Sequence, residues 1–228
     1  MATEETLKAN KPDDFIAPAC EAQIEVLYQD DDLLLINKPS GLLSLSGKNP
    51  LNKDSLHHRL TQDFPSARLL HRLDFGTSGI MLVALNKAVN ATLTQQFQNR
   101  TIKKRYTALL NGHLTADRGT IEGAIARGVF PRQKMCETDG KFASSDFEVL
   151  ERQANPDVTR VCFSPLTGRT HQLRIHSQHY GHPIIGCDLY GTLATHALAA
   201  RLMLHANYLA FIHPVTGEPF EMQCPAPF

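Results

Sequence analysis

At 228 residues, 42% hydrophobic and 20% charged, the chain has the balance of one large domain that buries about 70% of its unfolded surface without a staple. No apolar run approaches the ~20 residues that cross a bilayer, which excludes a helical membrane protein. The 23 basic residues are matched by 23 acidic ones, so contact with a polyanion requires a local basic face rather than net charge. The five cysteines are odd in number, scattered and free of a C-x-x-C pair, which points to reduced thiols and a cytoplasmic protein. Residues 1–20 lack the apolar core of a secretory signal and are expected to form a flexible tail ahead of a single unit over 21–228.

In chain order, Ile24 to Tyr28 and Leu33 to Ile36 read as two strands joined across the acidic Asp30-Asp31-Asp32 turn. Pro39 and Gly41 then force a turn that aims Lys38 outward. Asp54 is the expected N-cap of a helix through Leu56, Leu60 and Phe64, stopped by Pro65, with His57 and His58 on its surface. Leu69-Leu70 and Ile80 to Leu85 are short aliphatic runs suited to buried strands, and the polar stretch His71 to Gly79 connects them. Asn86 caps a helix whose Val89, Leu93 and Phe97 recur every four residues. A strand over Thr101 to Gly112 follows, with Lys103, Lys104 and Arg105 abutting Tyr106.

Residues 113–165 read as peripheral strands, the clearest over Asp146 to Leu150, preceded by a basic loop of Arg127, Arg132, Gln133 and Lys134 around Pro131. Thr170 is the expected cap of a helix running to Tyr180, where Gly181 and Pro183 stop it. His171 and Arg174 lie three apart on that helix and share a face near its N-terminus, where the dipole favours anions. Arg201 to Ala206 reads as a last helix, and two closing strands follow.

Asp74 lies in the most polar of these connections. A lone aspartate near glycine most often accepts backbone N–H groups in a turn. The nine residues also hold an HR-x-D and a D-F-G, but the kinase elements of that form lie on separate loops, and no phosphate-binding glycine loop precedes them. Lys103, Lys104 and Arg105 beside Tyr106 suit either a solvated strand edge or a platform on which a base stacks, a contact of about 1–3 kcal/mol per base. His171, His176, His179 and His182 lack a neighbouring cysteine or carboxylate cluster, so a metal is not expected.

Three stretches together resemble the RluA-type pseudouridine synthases. They are His71-Arg72-Leu73-Asp74 with Thr77-Ser78-Gly79, Lys103-Lys104-Arg105-Tyr106 with Ala108, and Thr167-Gly168-Arg169 with His171-Gln172-Leu173-Arg174 and His176. Asn37-Lys38-Pro39 with Gly41, and the C-terminal Leu204-His205-Ala206 and His213-Pro214, extend the likeness from about residue 21 to Phe228. The resemblance implies an α/β (α+β) fold, with a mixed, largely antiparallel sheet, flanking helices and a cleft; periodicity alone gives only a strand-rich α/β chain.

It further implies isomerisation of uridine to pseudouridine in structured RNA, without metal or other cofactor. Asp74 is then the catalytic residue, Tyr106 lies against the target uracil and Arg174 pairs with Asp74. Lys38, His71, Arg72, Lys103, Lys104, Arg105, Arg169 and His171 become the expected RNA contacts. The family usually places an aspartate directly after the glycine of its HPI-x-G element, where this chain has Cys187 and then Asp188.

Gly41-Leu42-Leu43-Ser44, Arg132 to Lys141 and Ala226-Pro227-Phe228 resemble the subgroup that modifies both large-subunit ribosomal RNA and transfer RNA. That implies two RNA partners; no membrane contact and a monomer are expected, and the N-terminal 20 residues are too few for an accessory RNA-binding module. A synthase acting on transfer RNA alone is the nearest alternative. A ribosome-assembly factor without turnover does not need a carboxylate facing a polyanion, and a small-molecule hydrolase predicts indifference to RNA folding.

Overall fold

A computed structural model describes residues 15–228. Its strands are β1 (Glu25–Gln29), β2 (Leu33–Lys38), β3 (Arg68–Leu69), β4 (Ser78–Ala84), β5 (Lys103–Asn111), β6 (Arg118–Arg127), β7 (Gln133–Met135), β8 (Lys141–Gln153), β9 (Val158–Pro165), β10 (Leu204–Ile212) and β11 (Pro219–Gln223). The helices are α1 (Leu56–Asp63), α2 (Lys87–Gln98), α3 (Gln172–His179) and α4 (Leu193–Ala197).

One sheet runs in the order β1-β2-β4-β10-β5-β9-β8-β6-β7, with β3 added to β4 and β11 to β10. Among the described residues the pairings are antiparallel except at β4–β10, where Ser78 and Gly79 pair with His205 and Ala206. The mixed, largely antiparallel α+β architecture is the one expected.

The aliphatic runs of β2 and β4 are buried on both faces, which is why neither alternates with polar residues. Alternation sends Leu33, Leu35, Ile80 and Leu82 to one side, against Val89 and Leu93 of α2. Leu34, Ile36, Met81 and Val83 go to the other side, against Leu56 and Leu60 of α1. A third core joins Val161 and Phe163 of β9 to Leu173 and Ile175 of α3. The two halves of the sheet therefore meet at β4, β10 and β5.

Several local expectations change. Ser55, not Asp54, caps α1: its hydroxyl accepts from His58 N, while Asp54 is drawn away by a two-point ion pair with Arg59 at 2.6 and 2.7 Å. Thr170 does not cap α3. His171 holds that position in the left-handed conformation, φ 56°, and makes no side-chain cap. Arg201 to Ala206 is not a helix; β10 begins at Leu204, because its backbone is claimed by β5 on one edge and β4 on the other. The basic loop at 132–134 contains a strand, β7, paired with the end of β6.

Lys38 does not point outward. It closes β2 with no exposed surface, and its ammonium donates to the carbonyls of Pro39 (2.8 Å), Leu42 (2.7 Å) and Phe75 (3.4 Å). Of the expected tail, residues 15–20 are described, and Asn52 fastens them by accepting from Ala17 N and donating to Phe15 O. The remaining residues of that tail lie outside the described ones.

Candidate active site

The loop between β3 and β4 carries Asp74, and its backbone is tied down from the N-terminal side. Ser44 Oγ donates to Leu73 O at 2.7 Å and accepts from Leu73 N, Ser40 Oγ donates to Gly76 O, and Gly41 N donates to Phe75 O. Lys38 adds its bond to Phe75 O. Leu73 is a buried anchor, Asp74 O accepts from Thr77 N, and the carboxylate is left about one quarter exposed. Ser40, Gly41 and Ser44 thus hold the loop, a role that the apolar pattern around them does not advertise.

Two side chains of the α3 region converge on that carboxylate. Arg174 Nη1 lies 3.7 Å from Asp74 Oδ2, and His171 Nε2 lies 3.9 Å from Oδ1. Both separations exceed hydrogen-bond length, so the attraction is chiefly between charges or dipoles. Arg174 is buried, and a second carboxylate, Asp188, pairs with it at 2.5 Å. Cys187 Sγ is 3.4–3.5 Å from the guanidinium. The carboxylate displaced by Cys187 in the sequence is therefore supplied one residue later, and both residues meet Arg174.

Gln172 was not among the expected site residues, yet it fixes the loop before α3. It accepts from Thr167 Oγ1 and Arg169 N, and donates to Ser144 O and Ser145 Oγ of β8. Its position inside a polar motif gave no separate sign of this, since the partners are 27 and 28 residues away.

Tyr106 lies on β5, partly exposed in the cleft and packed against two of the cores. Burial, and then the charge of Asp74, push its phenol above the ordinary value, so it stays protonated. Lys104, two residues earlier, shares its side of the strand, and burial lowers its pKa. The guanidinium of Arg105 instead lies 4.8 Å from the Tyr208 ring centroid. Alternation along β5 turns Lys103 and Arg105 to the side opposite Lys104 and Tyr106, yet all three basic residues line the cleft.

His71 is also reassigned. Its Nε2 accepts from Leu82 N at 3.2 Å and its ring lies 5.0 Å from that of Phe97. Burial, followed by the charge of Lys104, pushes its pKa down to about 3, so it is a neutral prop for β4 and not a cation offered to phosphate. Lys38 is likewise removed from the phosphate contacts by its bonds to carbonyls. Arg72 is exposed at the cleft, and Lys103, Arg169 and His171 also line it.

The cleft measures about 1820 Å³, well above the ~300–1,000 Å³ of a small-molecule pocket, so it has room for a polymer segment. Among its described lining residues eight are Lys or Arg, while Asp74 alone is acidic. A chain of zero net charge has gathered a basic face here. Among the described residues no group of three or more His, Cys, Asp or Glu is placed to hold a metal ion, and no helix is long and apolar enough to cross a membrane.

The family model described as RNA pseudouridylate synthase matches residues 32–179, a span that includes Asp74, Tyr106 and Arg174. The chain belongs to that family. As a pseudouridylate synthase it is an isomerase that acts on RNA. It is 45% identical over 205 residues to the dual-specificity RNA pseudouridine synthase RluA of Yersinia pestis, covering 89% of this chain and 99% of that one. It is 41% identical over 213 residues to the protein of the same name from Escherichia coli K12, covering 92% and 97%. The solved structure of human RNA pseudouridylate synthase domain containing 1 superimposes with a TM-score of 0.76 at 36% identity, covering 92% of this synthase and 86% of that chain.

Proposed function

We propose that this synthase isomerises specific uridines in both large-subunit ribosomal RNA and transfer RNA, in the cytoplasm and as a monomer, with Asp74 as the reacting group. The dual-specificity relatives at 41–45% identity support the double target. The observation that carries the site assignment is the lone carboxylate in a basic cleft, between a tyrosine on β5 and a buried arginine on α3. Repulsion from phosphate makes such a carboxylate unfavourable in an RNA groove unless it reacts.

The target nucleotide leaves its stack, at a cost of a few kcal/mol, and its uracil enters the cleft against Tyr106. Arg72, exposed at the rim, supports the vacated stack, and Lys103, Lys104 and Arg169 meet phosphates. Asp74 then breaks the bond between N1 of uracil and the anomeric carbon, by attacking that carbon or by removing a sugar proton to give a glycal. The freed base turns and bonds to the sugar through C5. The proton of C5 departs and N1 gains one, so no atom is added overall. Arg174, 3.7 Å from the Asp74 carboxylate, sets an opposite charge beside it. One carboxylate suffices because, unlike a glycosidase, the enzyme has no water to activate.

Release of tritium from folded ribosomal and transfer RNA labelled at C5 of uracil tests this directly. The wild type releases label from both RNAs, and Asp74→Asn releases none while binding normally. Label released equally by Asp74→Asn would remove Asp74 from the chemistry, and label released from transfer RNA alone would restrict the substrate.

A further inference from the structure

Tyr190 follows Asp188 in the chain and lies between β7 and the start of α3. Its hydroxyl is engaged on two sides: Gln133 N donates to it at 2.7 Å, and His171 Nδ1 lies 2.8 Å away. Its ring is held too, 5.6 Å from the His171 ring in an edge-on arrangement and 5.4 Å from the centre of the Arg174 guanidinium.

These bonds decide where protons sit. A backbone N–H can only donate, so the Gln133 amide takes a lone pair of the phenol oxygen. The phenol's one proton has no other acceptor among the hydrogen bonds of the described residues, so it points at His171 Nδ1, which then accepts. A neutral imidazole carries a single N–H, so its proton is on Nε2, the nitrogen 3.9 Å from Asp74 Oδ1. In the other tautomer a nitrogen lone pair would face the carboxylate.

Two further observations agree. Burial lowers the pKa of His171 despite the opposing pull of Asp74, with Arg174 lowering it further and Asp188 raising it, and burial raises that of Tyr190. The ring is thereby kept neutral and the phenol protonated. His171 also holds a left-handed backbone conformation, which in a residue with a side chain persists only where surrounding contacts fix it.

We propose that Tyr190 is a positioning residue: its hydroxyl, locked by the Gln133 amide, fixes His171 in the Nε2-protonated tautomer, so that the ring offers Asp74 a donor. This rests on the reading of Asp74 as the reacting group. The neutral N–H steadies the carboxylate without placing another full positive charge beside Arg174. Tyr190 and His171 together link β7, on the far edge of the sheet, to Asp74.

Protein labelled with nitrogen-15 in its histidines, examined by long-range proton–nitrogen correlation and assigned against His171→Asn, reads the tautomer directly. In the wild type, His171 shows a protonated Nε2 and a hydrogen-bonded, unprotonated Nδ1. Tyr190→Phe keeps both ring contacts, removes the bond to Nδ1 and mixes the tautomers; kcat on folded RNA falls about tenfold with KM changed less than about twofold. A wild-type ring protonated on Nδ1 overturns the proposal, and so does an unchanged kcat in a folded Tyr190→Phe protein. The wild-type spectrum needs no variant, so it stands even if the phenylalanine protein folds poorly. Because it also needs no turnover, tritium release by Asp74→Asn would sink the reading of Asp74 while leaving the tautomer decided.

Discussion

Lys38 has no exposed surface, and burial pulls its pKa down to about 7. Its contacts tie the Pro39 and Leu42 carbonyls of the turn after β2 to the carbonyl of Phe75, next to Asp74, which makes it a support for the carboxylate and not a ligand of RNA. Lys38→Met should therefore lower kcat about tenfold while leaving unchanged the slope of log binding constant against log salt concentration. Lys104→Ala should reduce that slope by about 1, the signature of one lost phosphate contact. A slope reduced in Lys38→Met as well would return Lys38 to the phosphate set. The sequence placed a lysine beside a Pro-Gly turn, which ordinarily means solvent. What it could not display was Phe75, 37 residues away, folding its carbonyl over the ammonium. His71 misled for the same reason, since its acceptor role depends on Leu82 N coming back across the loop.

At the level of the element, the joint between β4 and β10 carries the site. Gly79 has φ +117°, and a Cβ there would lie 2.3 Å from Ala206 O, so the two backbones approach closely because this position is bare. Gly79→Ala should cost about 3 kcal/mol or more, read as a fall in the urea midpoint; a midpoint within experimental error of wild type would show that the strands can part without loss. Strong local patterns were legible here: the unbroken aliphatic runs of β2 and β4, and the four-residue recurrence that buries Val89 and Leu93 of α2. The start of β10 was not, because Leu202, Met203 and Leu204 suit either structure and pairing on both edges of the strand decides. The cap of α1 was misplaced by one residue, since two residues able to cap stand side by side and an ion pair draws one of them off. The motifs that carry Asp74, Tyr106 and Arg174 were legible as motifs, while the supports behind them, Gln172 and Ser44, became visible only through their distant partners.

For the molecule as a whole, His176 and His205 are fully buried, and burial pushes the pKa of each down to about 4 from the ordinary 6.5. Once unfolded, both bind protons below pH 6.5 that the folded protein refuses until about pH 4, so the unfolded state takes up more protons across that window. Stability should accordingly fall as pH drops from 6.5 towards 4, by up to about 3 kcal/mol per pH unit from this pair. Urea midpoints at pH 7 and pH 5 measure it, and equal midpoints would mean that these rings are charged in the fold. Asp74 is on the β3–β4 loop, Tyr106 on β5 and Arg174 on α3, so carboxylate and guanidinium are 100 positions apart, and the strand that joins β4 to β5, β10, comes later still. At a synthesis rate of roughly 5–20 residues per second, the carboxylate is made about 5–20 s before its guanidinium. The nascent chain, emerging beside ribosomal RNA, has no closed site until β10 has left the ribosome. If Asp74 is the reacting group, the enzyme can act on RNA only once β10 has emerged.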